Sequence, residues 1–482
     1  MSTSTTAAVS ETRGLEYYRK TLGLPLAILA TIIVWYLPLP EGLKPVGLKC
    51  LALFSGIFIL YLTEAVALPI TSLAVVPLAV LMGIASPKDA LDGFGSTSGY
   101  LLVSAFILAT AMVKSRLAER MTYHIVKLVG SSAYGVSIGI VLANIVLAFL
   151  VPSSTARTAI LLPVCLGLIA SFKVGLKSNF AKGLLLTLCF TNATIGAGIL
   201  TATLPNPITV EFITKAGGPS VSYTQWLAFG FPPALFMTVL TWWLCRKLFK
   251  PEVEEIPGGL THVEEALAKL GALSGNEIRA LIVFLFATTL WCTGEWTKID
   301  VTIAALAASC LLFLPGFGFL SWEDANKGVS WQVVFVAGGG ISLGVLMMKT
   351  GAAKWLAISI LKAMGVEGLA VLLVLIIIML IIQYLHILFV GTTAMLTAIM
   401  PVVIGMAEHL GVNPLIFALP AGMIIGGYPL LMFYNTLPNI LVYGTGELDV
   451  RDYPKVGFIL CTVAVLLYSL CAATYWQWLG LF

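Results

Sequence analysis

A short polar run interrupts a long apolar stretch of the sequence and is followed by a single arginine. The run is Pro152-Ser153-Ser154-Thr155, and Arg157 is the one Asp, Glu, Lys or Arg residue between Leu128 and Phe172. Hydroxyl groups and the free amide N–H groups at the start of a helix bind carboxylate or phosphate oxygens. An arginine at the centre of a bilayer usually lines a pathway or meets an anion. Together these residues predict a binding site for a small anion.

A second break lies in another long stretch without charged residues. It reads Gly391-Thr392-Thr393, and His386 precedes it by five positions. A protonated imidazole there would add positive charge and would make the function sensitive to pH near about 6.5. Two such tips facing each other would suit a small anion with a charged group at each end.

Two further breaks share the sequence Thr-Leu-Pro-Asn, ending at Asn206 and Asn439. Asn206 followed by Pro207 predicts an N-cap and the first position of a helix, so that each break would expose free N–H groups and the positive end of a half-helix dipole. The predicted substrate-binding residues all lie at one of the four breaks: Ser153, Ser154, Thr155, Gly391, Thr392, Thr393, Pro205, Asn206, Pro438 and Asn439.

Four other polar residues lie in apolar runs near these breaks. Arg157 and His386 are predicted to compensate the charge of the bound anion. Asn192 and Asn435 are predicted to be interhelical hydrogen-bond partners. No metal site and no cofactor are predicted, because the eight cysteines include no CxxC pair and lie scattered in apolar surroundings.

Membrane helices must position these residues. Hydrophobic residues make up 59% of the 482 residues and charged residues only 10%, with a mean hydropathy of +0.99. Soluble domains carry about 25% charged residues, so a soluble enzyme and a disordered chain are excluded. The apolar residues do not alternate with polar ones as in a porin-type barrel. A net charge of +4 without a basic tract gives no indication of a nucleic-acid partner.

Stretches of about 20 apolar residues are long enough to span a membrane. Their number predicts an all-α polytopic membrane protein with about 11 transmembrane helices. Two stretches fit re-entrant hairpins better than single spans, at 134–171 and 368–406, and two more predict broken helices, at 183–215 and 414–444. The lipid bilayer is therefore a predicted partner of the chain.

The distribution of basic residues predicts the orientation. Placing residues 1–20, as a tail and lead-in, and the linker 249–279 in the cytoplasm puts most of the 27 Lys and Arg residues on that side, in agreement with the positive-inside rule. The expected location is the cytoplasmic (inner) membrane with a cytoplasmic N-terminus. Arg157 is the one basic residue that this arrangement leaves inside the membrane.

The two halves of the chain match each other at offsets of 233 to 238 residues. The matching positions are Asp89 with Asp324, Lys114 with Lys349, Thr155 with Thr393, Pro163 with Pro401, and Asn206 with Asn439. Each half would hold five spans and a hairpin, and an odd number of spans inverts the second copy. Inverted repeats with broken helices at corresponding positions are a signature of secondary transporters.

These motifs resemble the divalent anion/sodium symporter superfamily over nearly the whole chain. The family's hallmarks are two Ser-Asn-Thr signatures at the hairpin tips, whose Asn and Thr contact substrate carboxylates while nearby backbone helps to hold two Na⁺ ions. Here the tips read Ser153-Ser154-Thr155 and Gly391-Thr392-Thr393, so both asparagines are absent. Ala-Arg-Thr after the first tip resembles the exchanger branch, which includes bacterial citrate/succinate antiporters and plastid dicarboxylate translocators.

The resemblance implies an elevator-type homodimer that exchanges C4 and C5 dicarboxylates such as succinate, malate, fumarate and 2-oxoglutarate. The scaffold would comprise 21–130 and 280–365, and the moving transport part would comprise 131–248 and 366–482. Two short basic segments, beginning at Lys114 and Lys349, would be amphipathic arms between the parts. A fixed Arg157 would replace the charge of Na⁺ and, because it cannot dissociate, would favour obligatory exchange.

Other functions remain open to the sequence. A Na⁺-coupled symporter of the same anions is one, and a carrier for sulfate or an organic sulfonate is another, because hydroxyl groups also suit those oxyanions. A channel is less consistent with hairpins that meet at a repeat interface. An enzyme is not predicted, since no HExxH motif is present.

Overall fold

The computed structural model describes residues 3–255, 260–366 and 368–480, with side chains from residue 17 onwards, and this part of the chain is helical without a β-strand. The helices of the first half are α1 Thr3–Trp35, α2 Pro45–Thr63, α3 Leu68–Leu81, α4 Pro87–Ala90, α5 Thr97–Ser115, α6 Leu117–Val129, α7 Ala133–Leu150, α8 Ser154–Ser171, α9 Asn179–Ala197, α10 Pro205–Lys215, α11 Tyr223–Leu248 and α12 Thr261–Leu270. Those of the second half are α13 Gly275–Thr297, α14 Val301–Leu311, α15 Trp322–Gly328, α16 Trp331–Lys349, α17 Ala352–Met364, α18 Val371–Leu385, α19 Thr392–His409, α20 Leu415–Gly427, α21 Leu437–Tyr443, α22 Asp452–Ala473 and α23 Tyr475–Trp478. Short 3₁₀ turns occupy Asp92–Gly95 and His386–Leu388.

The fold class predicted from the sequence is confirmed. Eleven of the described helices are long and apolar enough to cross a membrane, and α3, α14 and α20 are shorter apolar helices. Two hairpins stand out from the single spans: hairpin 1 is α7 with α8, and hairpin 2 is α18 with α19. The first helix extends back to Thr3, through the segment predicted as a tail, and α13 begins at Gly275 within the predicted linker.

The internal repeat is visible in the positions of the helices. A shift of 238 residues takes α8, Ser154–Ser171, onto α19, Thr392–His409. A shift of 235 residues takes α6, Leu117–Val129, onto α17, Ala352–Met364. A glycine with positive φ follows each of the second pair, Gly130 after α6 and Gly365 after α17. The two halves are therefore copies of one structural unit.

Two reciprocal ion pairs join the two halves of the chain, and each pair takes one residue from each half. Lys114 lies 2.5 Å from Asp324, and its counterpart Lys349 lies 3.2 Å from Asp89, the counterpart of Asp324. The residues that match between the copies thus pair across the copies, which ties the end of α5 to α15 and the end of α16 to α4.

The two hairpins pack unequally on their neighbours. In hairpin 2, Thr397 is 1% exposed and lies against α16, where a Cβ on Gly340 would be 2.3 Å from its Oγ1. Pro401 likewise lies against Gly344. The equivalent positions of hairpin 1, Ala159 and Pro163, are exposed. Identical positions of the repeat thus have different surroundings in this conformation.

Candidate functional site

The tip of hairpin 1 is a short non-helical segment between α7 and α8. Ser153 caps α8, because its Oγ accepts a hydrogen bond from Ala156 N at 3.3 Å, and serine is a favoured N-cap residue. The backbone N–H groups of Ser154 and Thr155 have no acceptor among the described residues. Their side chains are partly exposed. Two amides and two hydroxyl groups are therefore available at this tip to bind an anion.

The tip of hairpin 2 differs in its cap. Gly391 occupies the N-cap position of α19 without a side chain to accept a hydrogen bond, and a Cβ added there would have no atom within 4 Å. Gly391 and Thr392 are partly exposed, and Thr393 is 9% exposed. The first amides of α19 are thus left without the side-chain cap that hairpin 1 has.

Arg157 lies just behind the first tip and is completely buried. Its Nε donates to Asn192 Oδ1 at 2.7 Å, and its Nη1 donates to the carbonyl oxygens of Val151 and Ala202 at 2.8 and 3.0 Å. Its Nη2 donates to Asn192 O at 3.3 Å. The guanidinium group therefore sits in a cage of four neutral acceptors that joins the tip, α9 and the segment after α9.

No described residue forms a salt bridge with Arg157. A buried charge without a partner is unfavourable, since hydrogen bonds to neutral groups replace only part of its hydration. Because Arg157 is fully buried, its guanidinium group makes no contact with the surface of the tip. Arg157 lies beside the tip of hairpin 1, as the sequence predicted, but its guanidinium group is enclosed.

The two broken helices are each closed by an asparagine. Asn206 Nδ2 donates to the carbonyl oxygens of Gly196 and Ile199, both at 2.9 Å. Asn439 Nδ2 donates to Pro429 O and Met432 O at 2.9 and 3.2 Å. In both copies the acceptors lie ten and seven residues earlier. These two amide donors are committed to the orphan carbonyl groups of their own breaks.

The prediction that Asn206 is an N-cap is wrong. Helix α10 begins one residue earlier, at Pro205, and Leu204 is its N-cap residue. Pro205 and Pro207 have no N–H group, and Asn206 N donates to Thr203 O. The first break therefore offers no free amide from these three residues, because the prolines that start the helix also remove its donors. At the second break Thr436 caps α21 by accepting from Asn439 N.

His386 ends α18 and is 1% exposed. Its Nδ1 lies 3.1 Å from Gln383 O and its Nε2 lies 3.2 Å from Ile425 O. Both ring nitrogens thus face backbone carbonyl oxygens; a neutral ring donates to one of them, and a protonated ring donates to both.

In the second copy of the repeat, Asn435 makes the link between tip and break that Arg157 makes in the first copy. Its Nδ2 donates to His386 O at 2.6 Å and to Phe389 O at 3.0 Å. In the first copy Arg157 Nη1 joins Val151, which is equivalent to Phe389, to Ala202, which is equivalent to Asn435. From the sequence, Asn435 was predicted only to be an interhelical hydrogen-bond partner, although it directly precedes Thr436 of the second break.

Contacts between the two copies bring the breaks together. A Cβ on Gly427 would lie 2.5 Å from Ala197 Cβ, and a Cβ on Gly426 would lie 3.3 Å from Asn206 Oδ1. The two breaks therefore lie next to each other, and each is linked by hydrogen bonds to its own hairpin tip.

The gap between the first tip and the neighbouring helices is closed. A cavity of about 10 Å³ lies between Pro152, Thr203, Ala105 and Trp291, which is the volume for roughly one water molecule. This cavity is too small to hold an organic anion. Among the described residues no group of three His, Cys, Asp or Glu side chains is arranged to hold a metal ion.

Comparison with known proteins gives a family match over residues 19–482, to the sodium:sulfate symporter transmembrane region. A membrane protein of Cupriavidus necator is 30% identical over 95% of this chain and 93% of its own length. The sodium-dependent dicarboxylate transporter SdcS of Staphylococcus saprophyticus is 28% identical over 93% of this chain and 90% of its own length. YflS of Bacillus subtilis, whose name carries a provisional malate-transporter assignment, is 26% identical over 96% and 97%.

Among solved structures, the YdaH transporter of Alcanivorax borkumensis has a similar fold. The two structures align with a TM-score of 0.54 over 97% of this chain and 98% of the other, at 13% sequence identity. At that identity the likeness concerns the fold alone.

Proposed function

The chain belongs to the divalent anion/sodium symporter superfamily, through the sodium:sulfate symporter family that matches nearly all of it, and we propose that it exchanges C4 and C5 dicarboxylates across the cytoplasmic membrane without Na⁺. It is a multi-pass membrane transporter and not an enzyme. Two relatives carry dicarboxylate or malate in their names, which supports this class of substrate. Succinate, malate, fumarate and 2-oxoglutarate are the proposed substrates.

The cage around Arg157 is the observation that carries the proposal. A permanent positive charge is buried there among neutral acceptors, with no described residue as its ion-pair partner. A dianion at the adjacent tip would supply the missing negative charge. In a symporter a bound Na⁺ can fill that role and then leave, whereas Arg157 stays in place.

Exchange follows from this difference. With substrate bound, Arg157 offsets one of the two negative charges of the dianion and a proton taken up by His386 offsets the other. The amides and hydroxyl groups at Ser154, Thr155 and Thr392 bind the carboxylate oxygens. Without substrate, the buried cation opposes the movement of the site through the membrane. The empty carrier is therefore slow to return, and the site crosses mainly when loaded.

Movement of the site is proposed to follow an elevator mechanism within a homodimer whose N-termini are cytoplasmic. The unequal packing of the hairpins supports alternating access, because hairpin 2 is covered at Thr397 and Pro401 while hairpin 1 is exposed at Ala159 and Pro163. In a repeat protein the opposite state exchanges these two environments. Residues 131–248 and 366–482 would move against 21–130 and 280–365.

Counterflow in proteoliposomes tests the proposal. Vesicles loaded with unlabelled succinate are expected to accumulate labelled succinate or malate equally with and without Na⁺, and Arg157→Ala is expected to abolish this exchange while the protein stays folded. Arg116→Ala is the matched control, because Arg116 is exposed and pairs with Glu119. Robust uptake into substrate-free, Na⁺-loaded vesicles, or normal exchange by Arg157→Ala, would overturn the proposal.

Na⁺-coupled symport of the same anions is the second candidate. It is favoured by the sodium-dependent relative SdcS, and it predicts that an inward Na⁺ gradient drives net uptake into vesicles without substrate. The family's description also names sulfate, so labelled sulfate and an organic sulfonate belong in the same panel. Inhibition of succinate counterflow by either compound would identify it as a ligand of the site.

A further inference from the structure

Among the described residues, Asn192 is the one whose side chain hydrogen-bonds to the Arg157 guanidinium group. It is completely buried on α9, and its Oδ1 accepts from Arg157 Nε at 2.7 Å. Its Nδ2 donates to Ser154 O at 2.7 Å and to Thr158 Oγ1 at 2.6 Å. One side chain thus fixes both the arginine and the first turn of α8.

The other acceptors of the guanidinium group are backbone carbonyls. They belong to Val151, Ala202 and Asn192 itself, so substitution cannot change their charge. Among the acceptors in the cage, only the amide oxygen of Asn192 belongs to a side chain. An aspartate has nearly the same shape as asparagine, and its carboxylate at this point would form a charge-assisted hydrogen bond with Arg157 Nε.

We propose that Asn192 is the positioning residue that makes exchange obligatory, because it orients Arg157 with a neutral acceptor where a carboxylate would neutralise it. This inference rests on the proposed exchange function. Asn192 touches no reacting or transported group in this account and acts only through the arginine. Its neutrality leaves the positive charge for the substrate to compensate.

Asn192→Asp would give the empty carrier an internal ion pair. The change removes the donor to Ser154 O, while the Thr158 hydroxyl group can rotate to donate to the carboxylate instead. The empty site then carries no uncompensated charge and can cross the membrane. The same ion pair competes with the dianion, so the substrate is bound less tightly.

The experiment measures two rates in proteoliposomes loaded with labelled succinate: efflux into medium that contains succinate, and efflux into medium without it. For Asn192→Asp the ratio of the second rate to the first is expected to rise about tenfold or more, and the KM for exchange is expected to rise about tenfold, the effect of roughly 1.4 kcal/mol. Asn192→Leu, which removes the hydrogen bonds without adding charge, is expected to lose exchange without gaining net efflux. A wild-type ratio in a folded Asn192→Asp protein would overturn the inference.

Gly196 offers an independent route to the same charge. A Cβ at this position would lie 3.4 Å from Arg157 Nη2 and 3.7 Å from Thr203 Cβ, both ordinary contacts. Gly196→Asp adds an acidic side chain whose Cβ lies next to Nη2 while Asn192 is left intact, and Gly196→Asn is its neutral control. Net efflux is expected to rise in the aspartate variant only. Equal ratios in these two variants would contradict the inference even if Asn192→Asp does not fold.

Asn144→Asp is the matched control for a buried acid that does not touch Arg157. Asn144 is also completely buried, and its Nδ2 donates to Leu188 O and Thr191 Oγ1 on the same helix α9. Its ratio of net efflux to exchange is expected to stay at the wild-type value. If the wild-type protein itself shows fast net efflux, the proposed exchange function is wrong. If the wild type exchanges but Asn192→Asp and Gly196→Asp both keep its ratio, only the role of Asn192 is wrong.

Discussion

Replacing Arg120 by alanine is expected to destabilise the folded protein by about 3–5 kcal/mol, because it leaves a buried carboxylate without its partner. Arg120 lies on α6 and forms a salt bridge with Glu277 at the start of α13, with Nε 2.5 Å from Oε1 and side-chain exposures of 10% and 3%. Its Nη1 and Nη2 also donate to the carbonyl oxygens of residues 270–272 at 2.9 to 3.2 Å. The pair thus fastens the segment between α12 and α13 to α6.

Equilibrium unfolding of the purified protein in detergent with increasing SDS measures the effect. Arg120→Ala and Glu277→Gln are combined in a double-mutant cycle, and the double variant is expected to lose little more stability than either single variant. Arg116→Ala is the control one helical turn away, since its ion pair with Glu119 has side-chain exposures of 55% and 29%. Exposed pairs of this kind contribute up to about 1 kcal/mol.

Two results would refute the reasoning. If the losses of Arg120→Ala and Glu277→Gln add, the two side chains do not depend on each other. If Arg120→Ala costs no more than Arg116→Ala, burial does not make the pair important, and the hydrogen bonds to residues 270–272 contribute nothing measurable.

Three further outcomes are expected. Lys114→Asp is expected to lower the unfolding midpoint and Asp324→Lys in the same chain to restore it, as circular dichroism melts would show; a double variant no better than the single one would contradict the pairing. Hydrogen bonds from Lys114 and Ser321 lower the pKa of Asp324, so its stabilising effect is complete above the pKa of about 4 that it has when unfolded and fades as pH falls towards the lower folded value; Asp324→Asn should flatten that part of the pH–stability curve. Gly340→Ala is expected to cost about 1–3 kcal/mol by overpacking against α19, whereas Gly95→Ala, with no atom within 4 Å of the new Cβ, should be neutral in the same unfolding assay.

The positions of the breaks that form the candidate site were predictable because polar residues are rare in membrane-spanning segments. The run 152–155 was predicted as a break between two helices and is one, and Arg157 was predicted beside this tip and lies there. The cage was not predictable, because three of its four acceptors are backbone carbonyls. Every residue carries such a group, so nothing in the side-chain sequence distinguishes Ala202 from its neighbours.

For the asparagines of the two breaks, the sequence identified the residues but not their hydrogen-bond partners. Their repetition in both halves correctly marked Asn206 and Asn439 as special, and chemistry alone suggested substrate binding. In the fold each amide bonds carbonyl groups seven and ten residues earlier. A break leaves unpaired carbonyl groups close at hand, and which side chain reaches them depends on how the two half-helices turn past each other, which the sequence does not specify.

The reciprocal ion pairs have a consequence for the origin of the chain. Lys114 pairs with Asp324 and Lys349 with Asp89, so each half contributes one lysine and one aspartate. Two copies of a single half-length polypeptide would form the same two bonds with each other, since a two-fold interface brings residue i to j and j to i. The contact now inside one chain thus has the form of a subunit interface, as expected if a gene for a self-pairing half was duplicated and fused. Two separately expressed halves, divided after α11, would still carry the lysine and the aspartate that form these two ion pairs when the halves associate.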